Sequence, residues 1–127
     1  MSEANTTAGR SAAAADDVVL SVRNLRTEFH TLEGVFTAVR DVSFDVPRGG
    51  KIGVVGESGS GKTALALSTL RLIRPPGRIV GGEVRLNGRD IMPLSERALE
   101  KVRGREISLI FQDPMTALDP VKTIRNQ

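Results

Sequence analysis

The chain has 127 residues, 39% apolar and 26% charged, enough for one small globular domain. It contains no Cys, which excludes disulfides and thiolate metal sites, and no apolar run reaches the roughly 18 residues that cross a bilayer. Its net charge of +3 comes from 18 Lys and Arg scattered among 15 Asp and Glu, without the interleaved basic and aromatic clusters of a nucleic-acid surface.

Residues 1–16 are Ala, Ser, Thr, Gly and charge without hydrophobic period, and read as a disordered tail. The stretch carries acids and no long apolar region, so it does not read as a secretory signal. From Val18 the texture becomes β-rich, with Val18–Val22 as a strand and Val35–Val39 and Val42–Val46 as two further pieces. In the last of these, Ser43 and Asp45 alternate with apolar residues, the period of a half-buried strand. Pro47-Arg48-Gly49-Gly50 marks a turn, and Lys51–Val55 is short and apolar enough for a strand buried on both faces of a parallel sheet.

A glycine-rich loop follows, then a helical period from Ala64 to Ile73 that Pro75-Pro76-Gly77 ends. Ile79-Val80 and Glu83–Leu86 read as strand pieces, with Asn87-Gly88 as a tight hairpin turn. Ser95 is placed to cap a polar helix over Glu96–Arg103. Ile107–Phe111 is a further strand, and Asp119-Pro120 starts a last helix. This order predicts an α/β domain with the loop lying between a buried strand and a helix.

The loop Gly56-Glu57-Ser58-Gly59-Ser60-Gly61-Lys62-Thr63 fits the phosphate-binding pattern G-x-x-x-x-G-K-[ST]. Glycines let the backbone turn its N–H groups inward around a β-phosphate, and the helix start adds unpaired donors. Lys62 is the point charge for the β- and γ-phosphates, and the Thr63 hydroxyl is a hard oxygen ligand for Mg²⁺. ATP with Mg²⁺ is the expected cofactor. His30, the sole histidine, reads as a surface residue because one imidazole builds no metal site. Arg97, Lys101, Arg103 and Arg105 read as a solvated basic face, and Met92 and Met115 as packing residues.

GESGSGKT followed by ISLIFQDPMTALDPVKTI resembles the ATP-binding subunits of ABC transporters, within them the dipeptide, oligopeptide and nickel importer branch. The resemblance implies an ABC-type P-loop NTPase domain over 17–127, with an N-terminal antiparallel β subdomain. It implies that Gln112, 50 residues after Lys62, completes the Mg²⁺ shell and positions the attacking water. It also implies that Phe29 stacks on adenine, with Phe36 as its rival. The loop Asp113–Pro120 would dock on two membrane-spanning permease subunits, with a second ATPase subunit as further partner, at the cytoplasmic face of the inner membrane.

The LSGGQ-type segment, the Asp-Glu strand end and the switch His of that family do not occur in these 127 residues. The expectation is therefore an incomplete domain, truncated before the helical subdomain, with an unpaired sheet edge and ATP hydrolysis near background. The alternative function is a stand-alone P-loop nucleotide binder, or a gene remnant, with no transport role.

Overall fold

The computed structural model describes residues 17–113, 121–123 and 125. The expected tail at 1–16, the helix start at Asp119-Pro120 and the packing of Met115 lie outside the described residues.

Strand β1 (Val18–Thr31) and strand β2 (Gly34–Pro47) form a long antiparallel hairpin. Strand β3 (Gly77–Leu86) pairs with the other edge of β1, and the short β4 (Arg89–Asp90) pairs with β3, giving the order β2-β1-β3-β4. Helix α1 (Lys62–Thr69) connects the hairpin to β3, and α2 (Glu96–Val102) follows β4. The expected antiparallel β subdomain is thus present.

The two pieces anticipated in β2 are one strand, kinked where Asp41 turns to φ 50°. Asn24 at φ 47° makes the matching irregularity in β1, between Val22 and Leu25. β3 also runs unbroken through Gly82 at φ 103°. The core follows from the alternation along these strands. Val22, Leu25, Val39, Val84 and Leu86 turn inward and meet Ile91 with Leu99 and Val102 from one face of α2. Ala64 and Leu65 of α1, together with Met92, pack against this cluster.

The Asn87-Gly88 turn forms as expected, both residues at positive φ (49° and 79°) and Leu86 facing Arg89 across a two-residue loop. Ser95 caps α2, its side chain accepting from the Ala98 N–H at 3.3 Å.

Three expectations are corrected. Lys51–Val55 forms no strand, and Val55 is 92% exposed. Ile107–Phe111 forms no strand either; Ile107 makes one parallel bridge with Arg103, and Ile110 is 94% exposed. A segment apolar on both faces is stable as a strand only between two neighbours and under two covering layers, and the described sheet is wholly antiparallel and pairs with neither segment. The buried parallel strand expected before the loop is therefore not formed among the described residues.

The third correction concerns α1, which ends at Thr69 rather than Ile73. Arg71 turns left-handed (φ 52°), its N–H donates to Ser68 O at 3.0 Å, and the Leu72 N–H donates to Leu67 O at 2.8 Å. This paired closure is a Schellman motif, and it stops the helix well before the prolines.

Candidate functional site

The loop of residues 56–61 leads directly into α1, and its shape is set from inside. The Ser60 N–H donates to Glu57 O at 3.2 Å, closing a turn. The Lys62 ammonium folds back over that turn and donates to Gly56 O at 2.8 Å, Glu57 O at 2.6 Å and Ser60 Oγ at 3.2 Å. A cation therefore sits across the mouth of the loop. The Leu65 N–H makes the first helical bond, 2.8 Å to Gly61 O, and α1 has no side-chain cap. Its first N–H donors are left for a ligand or water.

Gly61 is the N-cap of α1 at φ 92°, and a Cβ there would run into the carbonyl oxygen of Ala38. Strand β2 thus presses its backbone against the start of the helix, and only glycine permits both that approach and that φ. Thr63 lies exposed in the first turn beside Lys62, with Glu57, Ser58 and Gly59 exposed along the loop.

Phe29 and Phe36 face each other across β1 and β2, which puts both rings on one face of the hairpin. Phe29 is half-buried, its ring close to Gly77, where a Cβ would lie 2.9 Å from the ring edge. Phe36 is 60% exposed. Gln112 is exposed, and among the described residues no hydrogen bond joins it to the loop. Internal hydrogen bonds thus gather Gly56, Glu57, Ser60 and Lys62 into one cradle, with Gly61 at the helix start. Of the segment Asp113–Pro120, expected to dock on permease subunits, only Asp113 is described.

His30 is exposed, its Nε2 3.3 Å from the Glu28 carboxylate, and no group of metal-ligating side chains occurs among the described residues. Met92 packs on the core as expected. Arg97, Lys101 and Arg105 are exposed. Arg103 is not part of their solvated face. It is half-buried, and its guanidinium donates to Leu70 O at 2.9 Å and Arg71 O at 2.8 Å and pairs with Glu96. The signal in the sequence was its place, directly after the last residue of a helix and before Gly104.

No helix among the described residues is long and apolar enough to cross a membrane. The family model described as ABC transporter matches residues 39–127. The chain is 49% identical over 112 residues, 87% of its length, to "Probable peptide ABC transporter ATP-binding protein y4tR" of Sinorhizobium fredii, covering 33% of that protein. It is 45% identical over 113 residues to "Dipeptide transport ATP-binding protein DppD" of Lactococcus lactis, covering 89% of this chain and 32% of the relative. It is 46% identical over 111 residues to "Oligopeptide transport ATP-binding protein OppD" of Escherichia coli, covering 87% of this chain and 33% of the relative. The chain thus spans about a third of the length of the curated relatives it matches.

Proposed function

We propose that this chain, which belongs to the ABC transporter family, supplies the ATP-gripping front part of an ATPase subunit that powers peptide uptake. One observation carries the reading: the Lys62 ammonium is held across the loop by Gly56 O, Glu57 O and Ser60 Oγ at 2.8, 2.6 and 3.2 Å. A triphosphate entering the loop would meet that cation. The likeness to peptide-transport proteins runs over 112 residues rather than the loop alone, which does not favour a stand-alone nucleotide binder.

The residues present fit ATP and Mg²⁺. The uncapped N–H groups of α1 and the loop amides would accept phosphate oxygens. Lys62 would exchange two neutral carbonyl partners for charged oxygens, and such charge-assisted bonds are roughly twice as strong. The exposed Thr63 hydroxyl is a hard ligand for Mg²⁺, and the Gln112 amide oxygen would be a second one. Bound Mg²⁺ supplies neutralisation of the charge that develops on the transferred phosphoryl group. Phe29 would stack on the base. The loop Asp113–Pro120 would meet two membrane-spanning permease subunits, with a second ATPase subunit as partner, at the cytoplasmic face of the inner membrane.

Titration calorimetry of the chain with Mg²⁺ and ATP tests this. Lys62→Ala should weaken binding at least about tenfold, which is about 1.4 kcal/mol. Equal affinity of the two proteins would overturn the reading.

A further inference from the structure

We infer that Arg103 is a positioning residue that ties the far end of the phosphate-loop helix to the segment leading into Gln112; the inference rests on the nucleotide-binding reading above. All three guanidinium nitrogens of Arg103 are engaged. Nε donates to Leu70 O at 2.9 Å, Nη2 donates to Arg71 O at 2.8 Å, and Nη1 pairs with the Glu96 carboxylate. The side chain is only 18% exposed.

The two carbonyls that Arg103 holds belong to the closure of α1, where the backbone leaves them without helical partners. A cation at that end also complements the helix dipole. The tie is reciprocal. Arg71 occupies the left-handed position of the closure, where a residue other than glycine costs about 1–2 kcal/mol, and its own guanidinium donates to Leu94 O at 2.6 Å. Two arginines thus cross between the end of α1 and the segments on either side of α2. A planar fork bound at three points resists rotation in a way that an apolar contact does not.

On its other side Arg103 stands at the head of a tight turn. Its N–H donates to Leu99 O at 2.9 Å, the Gly104 N–H donates to Ile107 O at 2.8 Å, and Val102 O accepts from the N–H groups of Glu106 at 2.9 Å and Ile107 at 3.3 Å. From Ile107 the chain runs on to Gln112, nine residues after Arg103. α1 is eight residues long, roughly 12 Å at 1.5 Å per residue. One end of this rod begins at the phosphate loop and the other rests in the Arg103 fork. A phosphate that draws the loop onto the helix start displaces the rod as a whole, and Arg103 passes that displacement to the turn before Gln112.

The chain has no Trp, so Phe111→Trp places a single reporter beside Gln112. In that background, saturating Mg²⁺ and ATP should change the indole emission. Adding Arg103→Gln should reduce the change at saturation at least about fivefold, within the usual range of coupling between sites, while calorimetric affinity for ATP stays within about threefold. Arg103→Lys, which has no fork, should restore less than half of the change. A residue that only stabilised the fold would lower affinity and melting temperature together and leave the emission change per bound ATP intact. That result, or an emission of the reporter protein that does not respond to bound ATP, overturns the inference. If Arg103→Gln does not fold, Glu96→Gln decides, since it frees one arm of the fork from the surface; an unaltered amplitude there also overturns it. Should the reporter protein bind ATP no better than its Lys62→Ala form, the nucleotide reading itself has failed, and the inference fails with it.

Discussion

The hydroxyl of Thr27 on β1 lies 2.7 Å from that of Ser68 on α1, and both residues are fully buried. Ser68 spends its single proton on Ala64 O, 2.6 Å away, so Thr27 is the donor between them. This bond fastens the phosphate-loop helix to an interior strand of the sheet. Ser68→Ala leaves the Thr27 proton buried without an acceptor and should cost about 1–3 kcal/mol. The double variant Thr27→Val with Ser68→Ala removes both partners and should recover part of that loss. Urea unfolding of the parent, the two single variants and the double variant measures it; a double variant weaker than the sum of the singles would contradict the pairing.

Gly61 joins the loop to α1 at φ 92° under the Ala38 carbonyl. Gly61→Ala has to relieve both the backbone strain, about 1–3 kcal/mol, and the collision. Weaker ATP binding by at least about tenfold is expected, since 1.4 kcal/mol already gives that factor. Calorimetry checks it, and unchanged affinity would mean that the loop binds in another shape.

Arg23 and Asp45 pair across β1 and β2 at 2.7 Å. The hydrogen bond from Arg23 holds the Asp45 carboxyl below its ordinary range, helped by one from Ser21 and opposed by burial. A carboxyl lowered in the folded state stabilises above its unfolded pKa, and the gain vanishes as pH falls through the folded value. The pair is about half exposed, so the gain is at most about 1 kcal/mol and shrinks with salt. Asp45→Asn should therefore unfold at lower urea than the parent near neutral pH, with the gap closing as pH falls through the lowered Asp45 carboxyl range. A gap that persists at low pH would place the effect elsewhere.

Phe29→Leu keeps apolar bulk and removes the aromatic face. A lost stack of about 1 kcal/mol should weaken ATP binding about fivefold. Phe36→Leu should leave it nearly unchanged. The reverse order in the same calorimetric titration would move the stacking role to Phe36, the more exposed ring of the pair.

The parts legible in the sequence were those that local chemistry decides. Gly, Lys and Thr at fixed offsets define the phosphate loop, Asn87-Gly88 defines its turn, and Ser95 defines a cap, each within a few residues. What was not legible depends on distant partners. Asp41 looked like a break between two strands, yet pairing along β1 carries β2 through it as a bulge. Lys51–Val55 and Ile107–Phe111 carry strand-like residues, but a strand needs a partner, and no strand of the described sheet pairs with either segment. The prolines suggested where α1 stops, whereas a left-handed Arg71 and the Arg103 fork stop it earlier. Arg103 looked like one more surface cation because neighbouring positions in sequence say nothing of carbonyls 32 and 33 residues away.

The pressure of Ala38 on Gly61 has a consequence for how the two ends of a nucleotide would be sensed. Ala38 lies two residues beyond Phe36 on one strand, about 7 Å along it. Phe36 faces Phe29 across the hairpin, so the ring proposed to lean on a base is paired to the same strand whose Ala38 carbonyl braces the helix start. Tilting that strand would loosen purine and triphosphate together, so affinity for adenosine alone and for inorganic triphosphate alone should rise and fall in step.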